Sequence, residues 1–220
     1  MKLSKETLSV IKNYATINNN LLFKPGNKLS TIAVGSTILS TATVSETFDK
    51  EFAIYDVNEF LAALSLFEDP DIIFDEKFLT ISQGNGSIKY FAAAMEAIVA
   101  PKNEVKFPEA EVNFTLDGSV YNMILKTASL LKSPDVSIVG NGSTVSVVVA
   151  PKKNQTGNAY TNVLGTTTLN FKVNLLVDNL KLLSGDYDVS ISSKKISRFK
   201  SKTSDLVYYV AVEADSTFEV

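Results

Sequence analysis

Lysines set at helical spacing carry most of the chemistry this sequence offers. Lys5, Ser9, Lys12 and Thr16 recur at intervals of four, three and four, and so share one helix face. Asn122, Lys126 and Ser129 share another, with Lys132 near the end of the same segment. Lys181 belongs to a later segment, where Asp178 lies one turn away. The first two faces contain no acid. Lysine among small polar groups attracts phosphate without reading base sequence. A single such face does no more than keep a protein in solution. Two corresponding ones, in a chain of formal net charge −3, point to a basic surface segregated from an acidic remainder.

Other chemistries lack their residues. The chain has no histidine and no cysteine, which removes the commonest general base, the commonest zinc ligands and the strongest side-chain nucleophile. A carboxylate-dependent enzyme would need convergent acids, and no spacing supplies them. Asp69, Asp71, Asp75 and Glu76 flank strand-like segments at a turn and read as solvated surface rather than a metal site. Gly84-Asn85-Gly86-Ser87 and Gly140-Asn141-Gly142-Ser143 lack the lysine and following helix of a phosphate loop, and Asn-Gly between strands signals hairpins instead. Asn113-Phe114-Thr115 and Asn154-Gln155-Thr156 match the glycosylation pattern, which has no meaning without a secretory route. No run approaches a membrane span, and no secretory pattern opens the chain.

The elements that must position the lysines repeat. Helical stretches begin near Ser4, Asp56, Gly118 and Leu176, and each leads through a break into hairpin segments. The first helix turns Leu8, Ile11 and Ala15 inward with Tyr14; the second, Val57, Phe60, Leu61, Leu64 and Phe67; the third, Val120, Ile124, Leu125, Ala128 and Leu131. Strands are expected at 21–23, 29–34, 37–44, 52–55, 71–74, 78–82, 87–91 and 111–116. Prolines 101 and 108 mark residues 101–110 as a connector between similar domains at 1–100 and 111–220. The class is α+β, with two helices per domain packed on antiparallel sheets. A basic run, 194–202, holds the single arginine, Arg198, and reads as an exposed hairpin.

Three segments carry a family resemblance. Met1-Lys2-Leu3-Ser4-Lys5-Glu6-Thr7 with Lys12-Asn13-Tyr14-Ala15-Thr16-Ile17-Asn18 is similar to the opening of the sliding clamps of T-even-type bacteriophages. Ala53-Ile54-Tyr55-Asp56-Val57-Asn58, with Phe60-Leu61 and Leu64-Ser65-Leu66, resembles their second helix and the strand before it. The end, Tyr209-Val210-Ala211-Val212-Glu213-Ala214-Asp215-Ser216-Thr217, is similar to theirs; the middle matches mainly in pattern.

The resemblance implies the DNA clamp fold of proliferating cell nuclear antigen, two domains per subunit in a head-to-tail homotrimeric ring. It implies no enzyme, cofactor or metal, but a processivity factor that encircles duplex DNA and tethers the replicative polymerase in the cytoplasm of the infected bacterial host. Lys5, Lys12, Lys126, Lys132 and Lys181 would then face DNA. Expected partners are the polymerase C-terminal peptide, an ATP-dependent clamp loader, and a late-transcription sigma-like factor with its coactivator. An apolar groove beside the connector and C-terminus would use Val105, Phe107, Pro108, Val212 and Ala214, with Ile32 or Ile38 from the neighbouring sheet. Phe107 could equally pin the connector to the core. Ring closure needs an edge strand from each domain, expected at 87–93 and 158–164; Tyr90, Phe91 and Tyr160 either sit at that interface or pack in their own sheets. The alternative is a phage structural ring or tail component.

Overall fold

The computed structural model describes residues 1–151 and 157–219, so Asn154-Gln155-Thr156 lies outside the described residues. The chain divides into two compact units, Met1–Glu104 and Val105–Val220.

In the first unit, α1 (Lys5–Ile17) starts where the Ser4 side chain accepts a hydrogen bond from the Thr7 N–H at 3.1 Å. It buries Thr7, Val10, Ile11, Tyr14 and Ile17. That stripe is rotated from the expected one: Leu8 and Ala15 are only half-buried, because Leu8 lines a groove shared with the next helix. That helix, α2 (Val57–Ser65), is capped by Asp56, whose Oδ1 accepts from the N–H groups of Asn58 and Glu59. Val57, Phe60 and Leu64 are its buried positions.

Seven strands complete the unit. β1 (Leu21–Phe23) pairs with β4 (Phe52–Ile54), and β2 (Gly26–Ile32) pairs with β3 (Ile38–Phe48), both antiparallel. β2 begins before the expected residue 29, since Gly26 takes φ 110° and the register slips by a bulge between Gly26 and Lys28. β5 (Asp71–Phe74), β6 (Phe78–Gln83) and β7 (Gly86–Phe91) form a meander, with Gly84-Asn85 turning between the last two. The core centres on Phe23, whose ring lies 4.7 Å from Phe48, 5.4 Å from Phe74 and 6.1 Å from Phe60. Each fully buried aromatic of this kind contributes about 1.5–3 kcal/mol.

The second unit has β8 (Val112–Leu116), α3 (Gly118–Leu131), β9 (Asp135–Asn141), β10 (Thr144–Val149), β11 (Tyr160–Thr166) and β12 (Asn170–Leu176). β13 (Tyr187–Ser192), β14 (Ile196–Ser201), β15 (Leu206–Ala211) and β16 (Thr217–Glu219) follow. One antiparallel sheet runs β11-β10-β9-β12-β16, and the strands β15-β14-β13-β8 run side by side in another. α3 buries Tyr121, Ile124 and Ala128, while Val120, Leu125 and Leu131 are half-buried.

The expected fourth helix is absent. From Leu176 the chain makes a single 3-10 turn, Val177–Asn179, and then runs irregularly to β13. Three buried tyrosines occupy the backbone that a helix would have satisfied internally. Tyr121 Oη donates to Leu180 O at 2.8 Å and accepts from the Leu182 N–H at 3.2 Å. Tyr208 Oη accepts from the Leu183 N–H at 3.2 Å, and Tyr187 Oη donates to Leu183 O at 2.5 Å. Among its described residues the second unit therefore holds one α-helix, not two.

Candidate functional site

Lys5 and Lys12 are exposed on α1, on the same face as Ser9 and Thr16, with Glu6 exposed beside them in the first turn. The two lysines line a groove of about 560 Å³ between α1 and α2, with Leu8 on one side and Leu61 and Leu64 on the other. Glu68 and Asp69 line it too, and Asp69 is paired with Lys2.

The position of α1 is fixed at both ends. Glu46, on β3, accepts from the Ser4 N–H through Oε1 and from Thr7 Oγ1 through Oε2. Burial alone would push the Glu46 carboxyl up, but those hydrogen bonds outweigh it and hold it below its ordinary value. At the other end Asn18 caps the helix. Its N–H donates to Tyr14 O at 2.9 Å, and its Nδ2 donates to Ile32 O at 2.9 Å and Val99 O at 2.8 Å. Sequence spacing signalled neither Glu46 nor the reach of Asn18, because both partners lie far along the chain.

In the second unit, Lys126 is exposed on α3 with Asn122 and Ser129. The sequence reading missed two apolar neighbours on that face, Met123 at 47% and Leu130 at 79% exposure. Lys132 is exposed at the helix end in a left-handed conformation, φ 50°. Lys181 is exposed but sits in the irregular segment, not on a helix as expected, since the tyrosine bonds displace that helix. Asn122 Nδ2 donates to Ser184 Oγ at 3.1 Å, which draws the segment against the outer side of α3.

β7 is an edge strand of its sheet, and β11 is an edge of the other unit's five-stranded sheet. Phe91 is 67% exposed on β7. Tyr90 points inward instead: its hydroxyl donates to Asp56 O at 3.1 Å and its ring lies 5.7 Å from Phe60. Burial first, then Glu59 and Asp56 nearby, push its hydroxyl up to about 12. On β11, Tyr160 is half-buried and Val163 is 61% exposed. Strand alternation puts Val163 on the face opposite Tyr160, a signal available in the sequence.

Around the connector, Val105, Phe107 and Pro108 are half-buried. The Phe107 ring lies 6.0 Å from Tyr209, and the Arg198 guanidinium sits 4.7 Å from its centroid. Arg198 also donates to Ser190 Oγ at 3.1 Å, while its Nε is buried with no acceptor. The basic run is thus no open loop: its arginine lies mid-strand in β14, under Phe107. Val212 and Ile38 are enclosed in their units, at 6% and 2% exposure, and offer little side-chain surface, whereas Ala214 is exposed and Ile32 half-buried.

A family model described as DNA polymerase processivity factor matches residues 4–100. The sliding clamp of Enterobacteria phage T4 is 32% identical over 232 residues, covering all of both chains. That of Escherichia phage RB69 is 29% identical over 234 residues, again covering both in full. Among solved structures, A. fulgidus PCNA with the C-terminal region of FEN-1 bound matches at a TM-score of 0.71 and 12% identity, over 95% of each chain.

Proposed function

This chain belongs to the family of phage sliding clamps, the DNA polymerase processivity factors, and from that premise we propose that it closes as a homotrimer around duplex DNA and holds the replicative polymerase there. The observation that carries the reading is the pairing of Lys5 and Lys12 on one exposed face of α1, with Lys126 on the outer face of α3.

The mechanism follows from the side chains. Lysine is a hydrated point charge on a flexible stem, so it passes from phosphate to phosphate without the bidentate grip of arginine. Each phosphate neutralised releases counterions, which makes retention salt-dependent and independent of sequence. Trimerisation multiplies every charge, and the closed ring, not the strength of any contact, prevents escape. No step of this function breaks a covalent bond of the substrate, so the protein acts as a scaffold rather than an enzyme.

Lys132 and Lys181 complete the proposed basic surface, the latter exposed in the segment tied to α3 through Ser184. Closure pairs the β7 edge of one subunit with the β11 edge of the next, with Phe91 and Val163 as apolar contacts and Tyr160 at the strand start. Head-to-tail contacts of this kind close when the rotation per subunit divides a full turn. The surface around Phe107, with Val105, Pro108 and Ala214, receives the polymerase C-terminal peptide; a clamp of the same fold is known with the C-terminal region of FEN-1 bound. An ATP-dependent loader opens the ring, and a late-transcription sigma-like factor and coactivator share it in the cytoplasm of the infected host. Family membership sets aside the structural ring or tail component.

The test is retention. On nicked circular DNA the loaded protein should stay, and after linearisation it should run off the ends. Lys5→Ala combined with Lys126→Ala should flatten the salt dependence of loading; an unchanged slope would remove these lysines from the DNA path.

A further inference from the structure

Two Asn-Gly pairs turn hairpins in this chain, and their surroundings differ. Asn141-Gly142 leads from β9 into β10. Asn141 Oδ1 accepts from the N–H groups of Ser143 at 3.1 Å and Thr144 at 2.8 Å, and from Thr144 Oγ1 at 3.3 Å. The Gly142 N–H donates to Leu169 O and the Thr167 N–H to Ser143 O, each at 3.1 Å, so this turn is laced to the next hairpin. β9 is moreover an interior strand, between β10 and β12.

Asn85-Gly86 has no such lacing. Both residues are exposed at the tip of the β6–β7 hairpin, and the Asn85 side chain makes no hydrogen bond among the described residues. Gly86 opens β7 opposite Gln83, in the last rung of the ladder, and β7 is the edge strand of its sheet. Such strand ends open at little cost. Packing holds the glycine in place, since a Cβ at 86 would stand 3.2 Å from Phe67 Cε1. Exposure does not separate the two asparagines, because Asn141 is exposed as well. Bonding does.

We propose that Asn85 is a self-modification site, where the side-chain amide becomes a carboxylate through the Gly86 nitrogen. With the last rung open, hydroxide removes the Gly86 N–H proton and the nitrogen attacks Asn85 Cγ. An N–Cγ bond forms, the Cγ–Nδ2 bond breaks, and water returns a proton to the leaving nitrogen, which departs as ammonia. The resulting succinimide then takes up water. Cleavage of the new N–Cγ bond gives aspartate; cleavage of the original peptide bond gives isoaspartate, whose main chain runs through Cγ. Glycine permits the attack because no side chain shields its nitrogen. At Asn141 the same attack requires the amide to leave three donors and the Gly142 N–H to leave Leu169, so that turn is spared. Either product puts a negative charge at the head of β7. Isoaspartate also lengthens the two-residue turn Gly84-Asn85, whose length sets the strand register. The consequence for assembly rests on the reading above that β7 joins the next subunit: an aged ring should come apart more readily.

The test holds the full-length protein at mildly alkaline pH, below its melting temperature, and samples it over time by tryptic digestion and mass spectrometry. Peptides 78–89 and 133–152 each carry one asparagine, at 85 and 141. The first should gain the acid about tenfold faster than the second, or more, because fewer bonds must open. Unfolding in urea should bring the two rates together. Asn85→Gln, whose ring closure would need an extra carbon, should stay unmodified at that position. Equal rates in the folded protein, or a faster change at 141, would overturn the proposal. So would an unchanged Asn85 over a time in which the free peptide 78–89 converts fully. Light scattering reads the consequence separately: aged wild type should fall toward the monomer where equally aged Asn85→Gln stays trimeric. Conversion at 85 with the trimer intact would leave the modification standing and remove its link to ring closure.

Discussion

Glu46 shows how one distant side chain sets a helix proposed to face DNA. Its carboxylate takes the Ser4 N–H and the Thr7 hydroxyl at the start of α1, where a negative charge also meets the positive end of the helix dipole. Glu46→Gln keeps the shape but loses the charge-assisted bonds, and should lower stability by about 1–2 kcal/mol, read as a fall in melting temperature. The sign with pH follows from the lowered value: the contribution is present above the ordinary carboxyl value of 4.5 and is lost as pH falls below it. Wild type should therefore lose stability below pH 4.5 more steeply than Glu46→Gln; parallel curves would show that the charge is not used. The role proposed for Phe107 competes with its packing, since its ring already covers Arg198 and approaches Tyr209. Phe107→Ala should weaken polymerase-peptide binding by about 30-fold, the equivalent of the ~2 kcal/mol typical of an aromatic anchor at an interface. A trimer that bound the peptide normally after this change would leave Phe107 as a connector pin alone.

The element that departs most from the repeat is the stretch after β12. The repeat suggested a helix beginning near Leu176, yet Tyr121, Tyr187 and Tyr208, from α3, β13 and β15, take its backbone groups. The sequence shows those tyrosines but not their convergence, which requires three separate elements to be folded first. Tyr208→Phe should leave the Leu183 N–H without its partner and cost about 1–3 kcal/mol, whereas Tyr55→Phe, at an exposed site, should cost little. Equal losses would mean the segment does not depend on its staple. Burial, relieved partly by the Leu182 bond, pushes the Tyr121 hydroxyl up to about 12. Its contribution is complete below the ordinary phenol value of 10.0 and is lost as pH rises from there toward 12.

For the whole molecule, the proposed ring predicts a mass near three times 23.9 kDa by light scattering at high protein concentration. A Val163→Asp or Phe91→Asp substitution at the edge strands should shift that mass toward the monomer; an intact trimer would move the interface elsewhere. The three α-helices and most strands were legible because their signals are local: Ser4 and Asp56 are caps, apolar residues follow helical spacing, and Gly84-Asn85-Gly86 marks a turn. The surroundings of Arg198 were illegible for the opposite reason. The β13–β14 hairpin that carries it is present, but charge alone made it exposed, while Phe107, far away in sequence, leaves Arg198 half-buried with its Nε enclosed. Met123 and Leu130 resisted the binary pattern of α3, since an outward apolar residue declares itself only against a neighbour.

The enclosed phenols also make the protein its own optical gauge. With no tryptophan and eight tyrosines, its near-ultraviolet absorbance and emission come from tyrosine rings. Tyr121, Tyr187 and Tyr208 meet edge-on within 6.5 Å of one another's centroids through Tyr187. Their bands should therefore carry strong circular dichroism when the second unit is packed and lose it on melting. Unlabelled protein then suffices to follow that unit, with no dye to crowd the faces proposed to meet DNA.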